Sequence, residues 1–181
     1  RWRNKIAIIF YGKKISYGEL REQVDRFATA LFDLGIRKGD RVGLLLLNSP
    51  EHIIAFYAII KLGALVVPIS PVYSSIELKH QLEDSGVETL VCHDILYEGV
   101  EKSGVVELKK VILTNISESL PAAKRFLGRS ILKGVYQKMA LPSFKTLERG
   151  GFYQFRDLIK KYPPNPPKAE INPKENLLQL P

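Results

Sequence analysis

The sequence predicts an α/β fold: a doubly wound, mostly parallel sheet in Rossmann-like layers, preceded by a β-hairpin. Three observations carry this expectation. Short apolar runs alternate with longer segments whose apolar residues recur every three or four positions, the rhythm of strands and the helices that cover them. Two of the helical segments open on a capping-box pair, Ser16 with Glu19 and Ser74 with Glu77. The run Val42–Leu47 is apolar throughout, without the alternation of a half-exposed strand, as expected where a parallel strand is covered on both faces.

The elements follow in order. Ile6–Tyr11 is a β-rich run, Gly12, Lys13 and Lys14 supply a turn, and Ile15–Tyr17 returns as the second strand of the hairpin. From the Ser16 cap, Leu20, Val24, Phe27, Ala28, Leu31 and Leu34 recur at helical spacing until Gly35 stops the pattern. Arg41–Leu47 is the first strand of the main sheet. Ser49 and Pro50 then stand where an N-cap and a first helical residue belong, and the helix runs through Ile53, Ile54, Phe56, Tyr57, Ile59 and Ile60 to Gly63.

Ala64–Ile69 reads as the next strand, with a loop to Tyr73 and a helix from the Ser74 cap to Ser85 and Gly86. Val87–Cys92 is a strand, a short helical or irregular stretch follows, and Leu108–Thr114 is a strand again. The crossovers of such a sheet are expected to be right-handed. Beyond Thr114 the rhythm breaks. A basic excursion occupies 115–151, a short helix is expected near Phe152–Lys161, and proline-rich residues 162–176 read as a surface linker leading to a final strand.

With 181 residues, 45% of them hydrophobic and 25% charged, the chain has the make-up of one folded core. Its apolar runs fall short of the roughly 18 to 20 residues that span a bilayer, so no transmembrane helix is expected. The one cysteine, Cys92, excludes an internal disulfide framework and suits a reducing cytoplasm, the expected location. The chain opens on Arg1 and Trp2 rather than Met, so its true start is expected upstream.

A net charge of +8 raises the question of a nucleic-acid or anionic-membrane partner. The charge is concentrated. Between Pro121 and Arg149, seven basic residues face the single Glu148, leaving about +2 for the rest, so nucleic acid is not expected.

Several chemistries are excluded by spacing. No three glycines stand at the intervals of a dinucleotide fingerprint, and Gly12 and Lys13 are followed by Lys14 rather than the Ser or Thr of a Walker loop. His52, His80 and His93 lack metal-ligand spacing, and no metal site is expected. Cys92 and His93 are adjacent on a strand and point to opposite faces, which disfavours a nucleophile–base pair and favours burial of the thiol.

Four ordered matches carry a family resemblance. Ile15–Leu20 (Ile-Ser-Tyr-Gly-Glu-Leu) opens a helix; Gly39, Asp40, Arg41 and Val42 form a turn into a strand. Asn48, Ser49, Pro50 and Glu51 start a helix, and Lys61–Pro71 (Lys-Leu-Gly-Ala-Leu-Val-Val-Pro-Ile-Ser-Pro) ends a helix on Gly and a strand on Pro. Leu78, His80, Gln81, Leu82, Asp84, Ser85 and Gly86 continue the pattern. Together they resemble the adenylate-forming superfamily of acyl-CoA synthetases, luciferases and peptide-synthetase adenylation domains, with residues 1–181 matching part of its larger amino-terminal domain. The basic excursion and Phe152–Lys161 resemble the fatty-acid–CoA ligase branch.

The resemblance implies a parent enzyme using ATP, CoA and Mg²⁺: a carboxylate and ATP give an acyl-adenylate and pyrophosphate, then the CoA thiol displaces AMP. Ligases for aromatic or short-chain acids share this chemistry, and a non-catalytic binding module would share the fold. The family's Ser/Thr/Gly-rich phosphate loop and catalytic lysine have no match here. Asn176–Pro181 resembles the strand preceding that loop, so no catalytic residue is expected within these residues and the piece alone is expected to be inactive.

Two candidate surfaces remain. In relatives the loop containing Tyr73 lies near the CoA tunnel, so Tyr73 is the candidate to pack beside a ligand, with packing against its own helix as the alternative. Some relatives hold the CoA phosphate with arginines after the next strand; this chain has Glu98, Gly99 and Glu101 there, with Lys102 the basic residue. In the basic excursion, Leu127, Ile131, Val135 and Met139 fall on one helical face and Arg125, Arg129 and Lys133 largely on another. That pattern suits a solvated covering helix, peripheral contact with an anionic membrane, or docking near the acyl tunnel.

Overall fold

The computed structural model describes residues 2–116 and 151–171. The hairpin is built from β1 (Ile6–Phe10) and β2 (Lys13–Ser16), antiparallel, with Phe10 opposite Lys13. Its loop is therefore the two residues Tyr11 and Gly12, at φ of 49° and 93°. The expected turn over Gly12, Lys13 and Lys14 is displaced: the right-handed twist of the strands favours a two-residue loop with both residues at positive φ, which leaves both lysines to the strand.

Helix α1 (Tyr17–Asp33) starts on the predicted capping box, with Ser16 Oγ accepting from the Glu19 amide and Glu19 reaching back to the Ser16 amide at 2.8 Å. These bonds hold the Glu19 carboxyl below its ordinary pKa. After β3 (Arg41–Leu45), α2 (Pro50–Lys61) is capped by Ser49. Then come β4 (Leu65–Pro68) and α3 (Ser75–Ser85), whose Ser74–Glu77 capping box is also as predicted. The remaining elements are β5 (Thr89–His93), α4 (Asp94–Ser103), β6 (Lys110–Thr114), β7 (Phe152–Gln154) and α5 (Phe155–Lys161).

The stretch after β5, read as helical or irregular, is a regular helix of ten residues, opened by Asp94, whose Oδ1 accepts from the Ile95 amide at 2.8 Å. One expectation is corrected. The helix expected from Phe152 is instead a strand and then a helix. Val111, Ile112 and Leu113 of β6 pair in parallel with Phe152, Tyr153 and Gln154, so an available sheet edge outweighs local helical spacing. The alternation is consistent with this: Phe152 packs on the core under α3 and α4, Tyr153 on the opposite core.

The five-stranded sheet runs β4-β3-β5-β6-β7, all pairs parallel. One core, with Phe27, Leu31, Ile54, Ile59 and Phe155, lies between the sheet and α1, α2 and α5; the other, with Leu78, Leu82, Cys92, Tyr97 and Val100, lies under α3 and α4. Helices cover both faces, so the sheet is doubly wound as the apolar run Val42–Leu47 implied. From Tyr162 to Asn165 the chain lies on α1, with Tyr162 O accepting from Arg26 at 2.9 Å, and further on Glu170 O accepts from Lys38 Nζ, in the loop after α1, at 2.9 Å. This part of the proline-rich segment is on the surface, bound by polar contacts.

Candidate functional site

The strand order dictates where a ligand belongs. From β3 the chain crosses to β4 on one side, then to β5 on the other, so the order reverses between β3 and β5. In open α/β sheets the crevice outside the carboxyl ends of two such strands is the natural ligand position, because the flanking connections diverge there.

A cleft of about 290 Å³ lies at that end of the sheet, on the α3 and α4 side. Leu45 at the end of β3 forms its floor with Leu78 of α3, and Ile95 and Leu96 from the first turn of α4 close one wall. Ser70, Pro71, Tyr73 and Ser74, between β4 and α3, form the other with Ser75, the first residue of α3. Gly99 and the side chains of Glu98 and Lys102 complete the lining. The loop is short and held at both ends: the Tyr73 amide donates to Ser70 O at 3.3 Å, and Ser74 is fixed by its capping box with Glu77.

Tyr73 is half-buried, lines this cleft and also packs against the core under α3. The two sequence readings of Tyr73 are thus not alternatives in space: the ring rests on its own helix's core and faces the cleft. Lys102, the one basic side chain lining the cleft among the described residues, is held by Glu98 at 2.6 Å one helical turn earlier. That hydrogen bond raises the ammonium pKa, so Lys102 stays charged while Glu98 offsets it. Sequence reasoning noted Lys102 but not that Glu98 engages it, although the four-residue spacing is the signal for such a pair.

On the other side of the sheet the carboxyl end of β5 is polar. His93 is fully buried and accepts a hydrogen bond at Nδ1 from the Leu47 amide at 3.0 Å. Burial, reinforced by His52, holds its pKa down at about 4, so the imidazole is neutral near pH 7. Asp94 beside it is buried and raised in pKa by desolvation, and its Oδ2 accepts from Asn115 at 2.5 Å. Sequence reasoning placed His93 only by exclusion from metal and nucleophile roles.

Cys92 is buried in the core under α3 and α4, on the face opposite His93, and burial pushes its thiol well above the ordinary range. His80 is exposed and His52 half-buried on α2. Among the described residues no three His, Cys, Asp or Glu side chains are grouped to hold a metal, and no helix is long and apolar enough to cross a membrane. The candidates Arg125, Arg129 and Lys133 lie outside the described residues.

Comparison with known proteins gives this architecture a family. A long-chain-fatty-acid–CoA ligase of Yersinia pestis is 34% identical over 163 residues, which are 89% of this chain and 28% of that protein. One from Bacillus subtilis is 32% identical over 128 residues, 70% of this chain and 23% of that protein. The chain thus spans about a quarter of the length of these curated relatives.

Among solved structures, a benzoate CoA ligase from Burkholderia xenovorans superposes with a TM-score of 0.73 at 18% identity, covering 97% of this chain and 29% of that one. A long-chain-fatty-acid–CoA ligase from Archaeoglobus fulgidus does so at 0.69 with 21% identity, covering 98% and 29%. Both share the fold. The model of the AMP-binding enzyme family matches residues 1–171, nearly the whole chain, and the chain belongs to that family.

Proposed function

We propose that this chain is part of an ATP-dependent fatty acyl-CoA ligase, in which a fatty acid and ATP form an acyl-adenylate and pyrophosphate and the CoA thiol then displaces AMP. The observation that carries the reading is the agreement of the family match with relatives at 32–34% identity that are long-chain-fatty-acid–CoA ligases. In this reading the described residues contribute scaffold and one crevice wall, and the residues acting on the α-phosphorus, together with Mg²⁺, belong to other parts of the enzyme.

The cleft at the switch point suits CoA. Its floor is apolar, Ser70 and Ser75 offer hydroxyls, and the Lys102 ammonium, one of whose donors goes to Glu98, keeps others for a phosphate oxygen. Tyr73 and Lys102 are the residues that would hold the cofactor, the ring by packing and the ammonium through the donors that Glu98 leaves free. CoA supplies the thiol that accepts the acyl group. For the basic excursion, the reading assigns Arg125, Arg129 and Lys133 to a surface that contacts anionic lipid or borders the acyl entry.

Exchange of labelled pyrophosphate into ATP by the full-length protein, dependent on added acid, tests this directly. Activity is expected to rise with chain length into the fatty-acid range and to be poor with benzoate and acetate. Preference for an aromatic acid would shift the substrate class, and no exchange with any acid would favour a non-catalytic module of the same fold.

A further inference from the structure

The carboxyl ends of β5 and β6 place two buried polar side chains next to each other with atoms left over. His93 and Thr114 are paired across the parallel ladder. Val91 and Ile112, two residues earlier on each strand, belong to the core under α1, α2 and α5, so His93 and Thr114 share that face. Both are almost wholly buried, at 0% and 2% exposure.

His93 Nδ1 is used as an acceptor by the Leu47 amide, so in the neutral ring Nε2 carries the hydrogen. Among the described residues that Nε2 has no hydrogen-bond partner, nor does Thr114 Oγ1, nor does Nδ1 of His52, the residue on the first turn of α2 that acts electrostatically on His93. A buried donor without an acceptor bears its full desolvation cost, and buried polar atoms are rarely left in that state. Three such atoms at one strand end, drawn from β5, β6 and α2, match the two to four partners that an internal water takes.

We propose that His93 is a two-sided positioning residue: Nδ1 holds the β3–α2 corner through Leu47, and Nε2–H donates to one internal water shared with Thr114 Oγ1 and completed by His52. The water orients the ring, and the ring orients the corner. The β3 ladder stops at Leu45, so among the described hydrogen bonds the one to this imidazole is what ties the two residues after Leu45 to β5, beside the packing of Leu46 in the core shared with Val91. The corner carries the Ser49 cap of α2 on one side and Leu45, the cleft floor, on the other. His93 thereby links the two faces of the switch point without touching a ligand in the cleft.

A crystal structure of the full-length protein, at a resolution that shows ordered water, is expected to place one water within hydrogen-bond distance of both His93 Nε2 and Thr114 Oγ1. Thr114→Val, which preserves shape, is expected to remove that water and to speed hydrogen exchange at the Leu47 amide, by less than loss of the imidazole does because Nδ1 still accepts from it. His93→Phe is expected to speed exchange at Leu47 by about tenfold or more, and His93→Asn, which keeps an acceptor, to restore much of the protection. A dry pocket, a side chain occupying the water position, or a water that persists in Thr114→Val overturns the proposal. Should His93→Phe fail to fold, the threonine variant decides it alone.

Discussion

The backbone N–H of Leu47 donates to Nδ1 of His93 at 3.0 Å, two residues beyond the point where the β3–β5 ladder ends at Leu45 and Cys92. A side chain has taken the place of a strand carbonyl, and that substitution makes the corner sensitive to acid.

Acid should destabilise the fold over a defined window. The His93 pKa is about 4 in the folded protein against an ordinary 6.5, because burial and His52 disfavour the imidazolium. The unfolded chain therefore binds a proton at a pH where the folded one does not. The contribution is complete above about pH 6.5, is lost progressively toward pH 4, and totals about 3 kcal/mol. Urea midpoints at pH 7.5, 6 and 4.5 should fall in that order. The depressed carboxyls of Glu19 and Glu77 lose their contributions at lower pH, and the raised Asp94 acts in the opposite sense, so the comparison is with His93→Asn. An unchanged slope in that variant would contradict the assignment.

Cys92 should be inert in the native protein. Its thiol is buried, donates to His93 O at 3.1 Å and is raised in pKa by burial and by Asp94. Since the thiolate is the reactive form, alkylating reagents at pH 8 should label Cys92 only as fast as the protein opens. Labelling within minutes in the absence of denaturant would show that the β5 strand is not covered on that face.

Gly43 should resist enlargement. A Cβ there would lie 2.9 Å from a Leu90 methyl, 3.0 Å from one of Ile69 and 3.1 Å from one of Val87. All three neighbours belong to one close-packed core, so none can retreat freely. Gly43→Val is expected to cost about 2 kcal/mol in urea unfolding, with Gly43→Ala costing less. A neutral valine would mean the core under α3 and α4 is looser than this.

Phe155 should anchor the last helix. Its ring packs on Phe27 of α1 with centroids 4.3 Å apart, and it is buried. Phe155→Ala is expected to cost about 3–4 kcal/mol. Because α5 leads into the residues lying on α1, amides from Tyr162 to Glu170 should also lose hydrogen-exchange protection. Loss of stability with that protection intact would show that the polar contacts of Arg26 and Lys38 suffice by themselves.

The CoA-binding role proposed for Tyr73 can be tested apart from its packing. Tyr73→Ala in the full-length enzyme is expected to raise KM for CoA several-fold while leaving KM for the acid and the pyrophosphate exchange near their original values. A half-buried ring costs less to truncate than a core one, so the melting temperature should change little. Equal loss in both half-reactions would return Tyr73 to a packing role.

Much of this architecture is legible residue by residue. Ser16–Glu19, Ser49–Pro50 and Ser74–Glu77 mark three helix starts because capping is satisfied within one turn of chain. Gly35, Gly63 and Gly86 mark three ends, and the family motifs are these same caps and turns. The continuous apolar run after Arg41 reveals a doubly covered strand because burial on both faces removes alternation.

What the sequence alone determined is therefore the kind, order and approximate limits of most elements, since caps, turns and periodicity are settled over a few residues. The tertiary structure decided what depends on distant partners. Phe152–Gln154 became a strand because β6 offered an open edge; the order reversal between β3 and β5 placed the cleft; Glu98 and Lys102 came to line it beside Tyr73. Burial in the folded core, with His52, keeps His93 a neutral acceptor for Leu47 down to about pH 4. Pairing and burial join residues far apart in the chain, and no local window contains both partners.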